Sequence, residues 1–316
     1  MVQASTGNFY GTTSNGGTSI YGTVFEITPA GTLTTLHSFE FTDGSTPIGT
    51  LIQATNGNMC GTTTAGGAGD HGTIFEITPS GTLTTLYNFC SQTGCTDGGG
   101  AYAGLVQASD GNFYGTTDND GTHNDGVVFE ITPAGVYTVL HDFAGGTTDG
   151  NEPLGALVQA TNGDFYRTTQ YGGTGNDGTV FEITSSGTVT LVHSFDVTDG
   201  ENPHGGLVQA TNGNLYGTAS FGGASGVGTI YSLGVGLRPF VETQPTSGKV
   251  GTPVIIRGNN LTGARSVTFN GTAANFTVVS GTEIKTSVPT GATSGRVQVT
   301  TSHGTGLNSN VLFRVK

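Results

Sequence analysis

Carboxylates, amides, an imidazole and aromatic rings recur at matched points of five loops in this 316-residue chain. At one point stand Ile20-Tyr21, Asp70-His71, Asn124-Asp125, Asn176-Asp177 and Gly226-Val227. Five residues earlier stand Asn15, Ala65, Asn119, Tyr171 and Phe221. Rings that stack on sugar CH faces, beside amides and carboxylates that take hydroxyls, suit glycan recognition. Tyr21, His71, Asn124, Tyr171, Asn176 and Phe221 are therefore the candidate ligand-binding residues. Asp70, Asp125 and Asp177 are the candidate catalytic acids, because a glycosidase needs two carboxylates roughly 5–10 Å apart. Tyr102, Glu152, Glu201 and His204 add to the same set from other connections. Ordinary loop drift on a solvated face is the bland alternative.

Other chemically capable residues repeat too regularly for one asymmetric site. Glu26, Glu76, Glu130 and Glu182 fall opposite Thr34, Thr84, Thr138 and Thr190 when counted back across a turn, which reads as a cross-strand contact. Asp43, Asp97, Asp149 and Asp199 sit in Thr-Asp-Gly, an Asp-Gly turn signal, with structural calcium as the alternative. His37, His141 and His193, with Tyr87, close the strand before each of these turns and read as satisfied edge residues. Arg167 replaces the Gly of the other copies (Gly11, Gly61, Gly115, Gly217) and is expected to point to solvent or to meet a carboxylate. Cys90 and Cys95 lie in the longest connection and read as a loop disulfide, which suits an oxidising compartment. Cys60 stands where other copies carry Tyr and reads as a packing residue. No metal centre is expected.

The elements that must position these residues form five copies of one block. Gln3, Gln53, Gln107, Gln159 and Gln209 each precede an aromatic (Phe25, Phe75, Phe129, Phe181, Tyr231) by 22 residues. Phe39, Phe89, Phe143 and Phe195 follow that aromatic by 14 residues in the four copies that have them. Only the connection to the next Gln varies, with lengths of 14, 18, 16 and 14 residues. A period near 50 with length change confined to one loop implies stacked supersecondary units. Asn-Gly and Pro-x-Gly turns between short alternating runs predict four antiparallel strands per unit, the pattern of a propeller blade. The fold class is all-β: a five-bladed β-propeller over residues 1–236, then a small β-sandwich over 237–316. The fifth copy lacks a recognisable fourth strand. In such a blade the two variable connections emerge on one face, where propellers bind ligands.

Bulk properties exclude several functions. A net charge of −13 with nine Lys and Arg excludes the clustered cations that nucleic acid requires. No apolar run is long enough to span a bilayer, so membrane insertion is not expected. No nucleophile elbow, Walker loop or His-Glu-x-x-His appears. Met1 stands where later copies carry Leu, so the chain is expected to begin inside a strand of a longer parent.

The run Gly-Asn-Phe-Tyr-Gly-Thr-Thr-x-x-Gly-Gly…Gly-Thr-Val-Phe-Glu-Ile-Thr resembles the GloVer (Gloeo/Verruco) tandem repeat of large bacterial surface or secreted proteins, over residues 2–233. The more basic C-terminal part, with Gly-Thr-Pro-Val-Ile-Ile-x-Gly-x-x-Leu and Val-x-Phe-Asn-Gly, is similar to an IPT/TIG immunoglobulin-like domain. The resemblance implies an extracellular or cell-surface bacterial protein with a propeller-like body and carries over no catalytic residues. The expected function is binding or adhesion, with a glycan or cell-surface polysaccharide as partner and no cofactor. A glycoside hydrolase with rim carboxylates is the first alternative, and a structural surface spacer is the second.

Overall fold

A computed structural model describes residues 1–302, 304 and 306–316. They are all-β: no α-helix occurs among the described residues, and no helix is long and apolar enough to cross a membrane. The chain divides into two compact units. One comprises Met1–Leu207 with Gly217–Tyr231, and the other Val208–Tyr216 with Ser232–Lys316.

Each of the first four copies folds into a four-stranded antiparallel sheet with its strands in chain order. In the first, the strands are Val2–Gln3, Phe9–Thr13, Thr23–Ile27 and Leu33–Ser38. The fifth copy gives three strands, Val208–Gln209, Leu215–Ala219 and Thr229–Leu233. The third and fourth strands share a register irregularity at the same point of all four complete copies, between Val24 and Phe25 in the first. That register places Glu26, Glu76, Glu130 and Glu182 directly opposite Thr34, Thr84, Thr138 and Thr190. The carboxylates have structural partners. Glu26 accepts from Tyr10 Oη at 2.6 Å and Asn8 Nδ2 at 2.6 Å. Glu76, facing Cys60 in place of a Tyr, accepts from Asn56 and Asn58. Each Glu thus ties the first tight turn to its own sheet.

A sheet has two faces, and each is buried by a neighbouring copy. Phe75 and Ile77 of the second sheet pack on Tyr10, Val24 and Phe39 of the first. On the opposite face, Cys60 and Ile74 pack on Phe113, Phe129 and Ile131 of the third. Tyr114 and Val128 of the third meet Phe165, Phe181 and Ile183 of the fourth in the same way. The Phe that follows each fourth strand stands edge-on to the next copy's aromatic: Phe39–Phe75, Phe89–Phe129, Phe143–Phe181 and Phe195–Tyr231, with centroids 4.9–5.6 Å apart. Such tilted pairs add roughly 0.5–1.5 kcal/mol each beyond the area they bury. The Gln of each repeat reinforces the junction. Gln53, Gln107 and Gln159 accept the N–H of Ser5, Thr55 and Ser109 in the preceding copy. Each also donates to its own turn, at Gly57, Gly111 and Gly163.

The aromatic of the third strand lies across a Gly of the second. A Cβ at Gly11, Gly61 or Gly115 would fall 2.6, 2.7 or 2.5 Å from the ring of Phe25, Phe75 or Phe129. Arg167 occupies this place in the fourth sheet and is fully buried. The expectation of solvent or a carboxylate partner is corrected here: Nη1 donates to Gly205 O at 2.7 Å and Nη2 to His204 O at 3.0 Å. Two backbone carbonyls take the Nη groups without a counter-charge, the buried Nε has no partner, and burial pulls the pKa down to about 10. Room comes from Gly155, where a Cβ would overlap the guanidinium at 1.7 Å.

The second unit has two four-stranded sheets. Glu242–Gln244, Pro253–Arg257, Glu283–Ser287 and Phe276–Ser280 form one; Thr272–Ala274, Ser266–Phe269, Val297–Thr300 and Gly306–Asn308 form the other. Val254, Ile256 and Ile284 of the first share one core with Val267, Phe269, Val297, Val299 and Leu307 of the second. A short parallel pair, Ser247–Gly248 with Arg314–Val315, completes the unit.

Gly155→Ala should cost about 1–3 kcal/mol, since the methyl displaces a guanidinium that has nowhere else to satisfy its N–H groups. Thermal denaturation of the full chain measures it. An unchanged Tm would mean that Arg167 reaches solvent.

Candidate functional site

The two variable connections of each copy meet across the junction between consecutive sheets. Ser45 pairs with Ala65, Gly99 with Asn119, Asn151 with Tyr171, and Glu201 with Phe221. A backbone relay repeats beside each pair. The C=O of Tyr21, His71, Asp125 and Asp177 accepts the N–H of Thr46, Gly100, Glu152 and Asn202, at 2.9–3.1 Å. The C=O of those four then accepts the N–H of Thr64, Asp118, Gln170 and Ser220 in the next copy. All four relay residues have positive φ, +53 to +67°. A position that holds Thr and Glu in the left-handed region at about 1–2 kcal/mol is kept there by the two hydrogen bonds it makes.

The predicted site residues sort into three kinds. Asp70, Asn124 and Asn176 occupy one left-handed turn position, with φ of 62–64°. Asp70 and Asn176 turn an oxygen onto the N–H of Gly66 and Gly172 in their own loops. Tyr21 packs on Phe41 with centroids 5.3 Å apart, and Tyr171 Oη accepts from Gln170. Phe221 remains 51% exposed. His71 is brought to another titratable group, with Nδ1 2.6 Å from Asp120 Oδ2. Asp125 lies beside Gly145, and burial pushes its carboxyl up against the opposing effect of His123, with lesser help from Asp149 and Asp142. Asp177 lies beside Gly175. The three candidate acids therefore sit in three successive loops, each among its own neighbours. Cys90 and Cys95 form a disulfide. His71 approaches both sulfurs, the one such trio of metal-ligating side chains among the described residues, but bonded sulfurs are not ligands.

The turn carboxylates and strand-ending imidazoles form one clasp. His37, His141 and His193 reach Asp43, Asp149 and Asp199 at 2.8, 3.1 and 2.8 Å. Tyr87 Oη meets Asp97 at 2.7 Å in the second copy. The same carboxylates cap their turns, as Asp43 does on the N–H of Glu40. Burial alone would raise Asp149, but His141 and the N–H groups of Ala144 and Gly150 outweigh it and hold the carboxyl below its ordinary value. These residues fix the corner.

Two carboxylates of the third copy depart from the repeat. Asp118 stands where other copies have Ser14, Thr64, Gln170 and Ser220, and Asp120 replaces the first Gly of Gly-Gly. Opposite them, Gly99-Gly100 replaces Ser45-Thr46, Asn151-Glu152 and Glu201-Asn202. The two exchanges compensate sterically. A Cβ at Gly99 would lie 2.2 Å from Asp120 Oδ2, and one at Gly100 2.4 Å from Asp118 Oδ1. Asp118 is 7% exposed, and its Oδ1 has no hydrogen-bond partner. Burial, with smaller contributions from Glu152 and Asp120, raises its pKa to about 7 against the opposing backbone N–H groups of Asp118 and Asn119. A carboxyl that holds its proton near neutrality beside an Asp–His pair is chemically unlike any other group on this face. Such a perturbed acid is where proton transfer or hydroxyl recognition would concentrate.

A family model described as the Gloeobacter/Verrucomicrobia repeat matches residues 1–160, 92–278 and 146–316, and so runs the length of the chain. No curated protein matches it. Among solved structures, a fungal alcohol oxidase in complex with copper is similar over 99% of this chain and 74% of its own, at 14% identity and a TM-score of 0.48. A putative gluconolactonase is similar over 84% and 80%, at 11% and 0.43. A gluconolactonase from Xanthomonas campestris is similar over 86% of both chains, at 13% and 0.42. Likenesses this distant assign no residue here a role.

Asp118→Asn should stabilise the protein in a pH-dependent way. The folded pKa of about 7 lies above the ordinary 3.8, so ionisation opposes folding and the penalty grows as pH rises from about 4 to about 7. At 1.36 kcal/mol per unit, the gain above pH 7 is on the order of 4 kcal/mol and vanishes below pH 4. Denaturation of both proteins across that range measures it, and a constant difference would contradict a buried carboxyl with a raised pKa.

Proposed function

The chain belongs to the Gloeobacter/Verrucomicrobia repeat family, and on that premise we propose that it is an extracellular bacterial binding or adhesion module for glycans. In this reading the five sheets are consecutive blades of a propeller, and the C-terminal unit is an IPT/TIG immunoglobulin-like domain. One observation carries the proposal: what repeats is consumed by structure, and what varies gathers on one set of connections. The repeated Glu, Gln, His and Asp residues hold turns, junctions and corners. The relay fixes the backbone of the variable loops four times over and leaves their side chains free to differ. Phe221 at 51% and Tyr102 at 42% exposure offer ring faces there, and His71, Glu152 and Glu201 offer hydroxyl partners. Rigid placement of a few polar groups beside exposed rings is what a sugar site needs. No cofactor enters this reading.

A specific observation favours polysaccharide hydrolysis as the second reading. Asp118, protonated near neutral pH, is the kind of general acid that glycoside hydrolysis uses. It takes the place of Asp70, Asp125 and Asp177 as the residue on which an acid role would rest.

A panel of plant, bacterial and fungal polysaccharides separates the readings. Retention on at least one polysaccharide, weakened at least tenfold by Phe221→Ala or Tyr102→Ala and without new reducing ends, is the expected result. Reducing ends that disappear with Asp118→Asn would establish the hydrolase instead. Neither retention nor release would leave a structural spacer.

A further inference from the structure

The fifth sheet is one strand short on a side that every other sheet covers. Leu33–Ser38, Leu83–Asn88, Tyr137–Asp142 and Val189–Ser194 each pair with the third strand of their copy. Among the described residues, Thr229–Leu233 is joined only to its inner neighbour Leu215–Ala219. One position marks this edge, and there the following copy shares in the burial, since Val24, Ile74 and Val128 pack against the next copy's Phe75, Phe129 and Phe181. Val24, Ile74, Val128 and Val180 are fully buried, and the equivalent Ile230 is 84% exposed. Val24, Val128 and Val180 lie opposite His37, His141 and His193, and Ile74 opposite Tyr87, so Ile230 lacks its cross-strand partner. In the complete copies the N–H of Phe39, Phe89, Phe143 and Phe195 also reaches the C=O of Gly22, Gly72, Gly126 and Gly178. Gly228 is the fifth residue of that series. A bare edge with an exposed Ile is a template for strand pairing, and nothing here blunts it with Lys or Pro.

We propose that the edge at Gly228–Tyr231 is a strand-acceptor site, and that its occupant is a strand of the fourth-strand pattern supplied by another polypeptide. The pattern is defined four times inside this chain: an apolar residue, Thr, any residue, Leu or Val, His or Tyr, then a polar residue. Main-chain hydrogen bonds supply the affinity of such an addition, and alternate side chains supply its selectivity. The incoming His or Tyr lies beside Ile230 as it does beside Val24, Ile74, Val128 and Val180.

The test uses the full chain and a fluorescent peptide of residues 187–195, Gly-Thr-Val-Thr-Leu-Val-His-Ser-Phe. Saturable binding by anisotropy is expected, with a scrambled peptide at least tenfold weaker. N-methylation of every second peptide bond should abolish binding in one frame and spare it in the other, because only one row of N–H groups faces the sheet. Ile230→Pro, a change tolerated at an edge, should also weaken binding at least tenfold while the Tm stays unchanged. If that variant does not fold, the two N-methylated peptides decide the matter on the unaltered protein. Binding no better than the scrambled peptide, or equal loss in both frames, overturns the proposal. So does light scattering that shows a dimer from which the peptide is excluded, since the occupant would then be a second copy.

Discussion

Everything in the repeat unit follows from the fact that one of these sheets cannot bury both of its faces alone. Its third strand sends Phe and Ile to one side and a β-branched residue to the other, so it needs a neighbour before and a neighbour after. The aromatic pair at each junction, Phe39–Phe75 and its three successors, marks where that need is met. The Gln hydrogen bond and the loop relay then fix the offset between neighbours. With few charged residues, the unit relies on neutral hydrogen bonds and ring packing, and its ionisable groups are mostly held in pairs.

Much of this architecture was legible in the residue pattern. The constant spacings of 22 and 14 residues are the strand register written along the chain. They placed each Glu opposite its Thr and put the two variable connections on one face. The His–Asp clasp was legible only in halves. His37 read as an edge residue and Asp43 as a turn, and their contact depends on the path of a six-residue corner. Arg167 misled because its partners are carbonyl oxygens, which leave no side-chain signature. The compensating Gly155 lies in another connection.

Asp118 was missed for a different reason. Attention to residues that recur at matched points favours Asp70, Asn124 and Asn176, which share a turn geometry. The unusual group is the one that departs from its column, and its room comes from Gly99-Gly100, nearly twenty residues earlier. Two small residues facing two acidic ones across a junction are a signal that only comparison between copies could reveal. The same comparison applies to any repeat in which one copy carries a chemical exception.

Because each sheet leans only on its neighbours, a pull on the chain ends is not shared across the body. Load applied along such an array is released one junction at a time, each rupture freeing roughly the contour length of one repeat. A tether built from these units would yield in steps and absorb work.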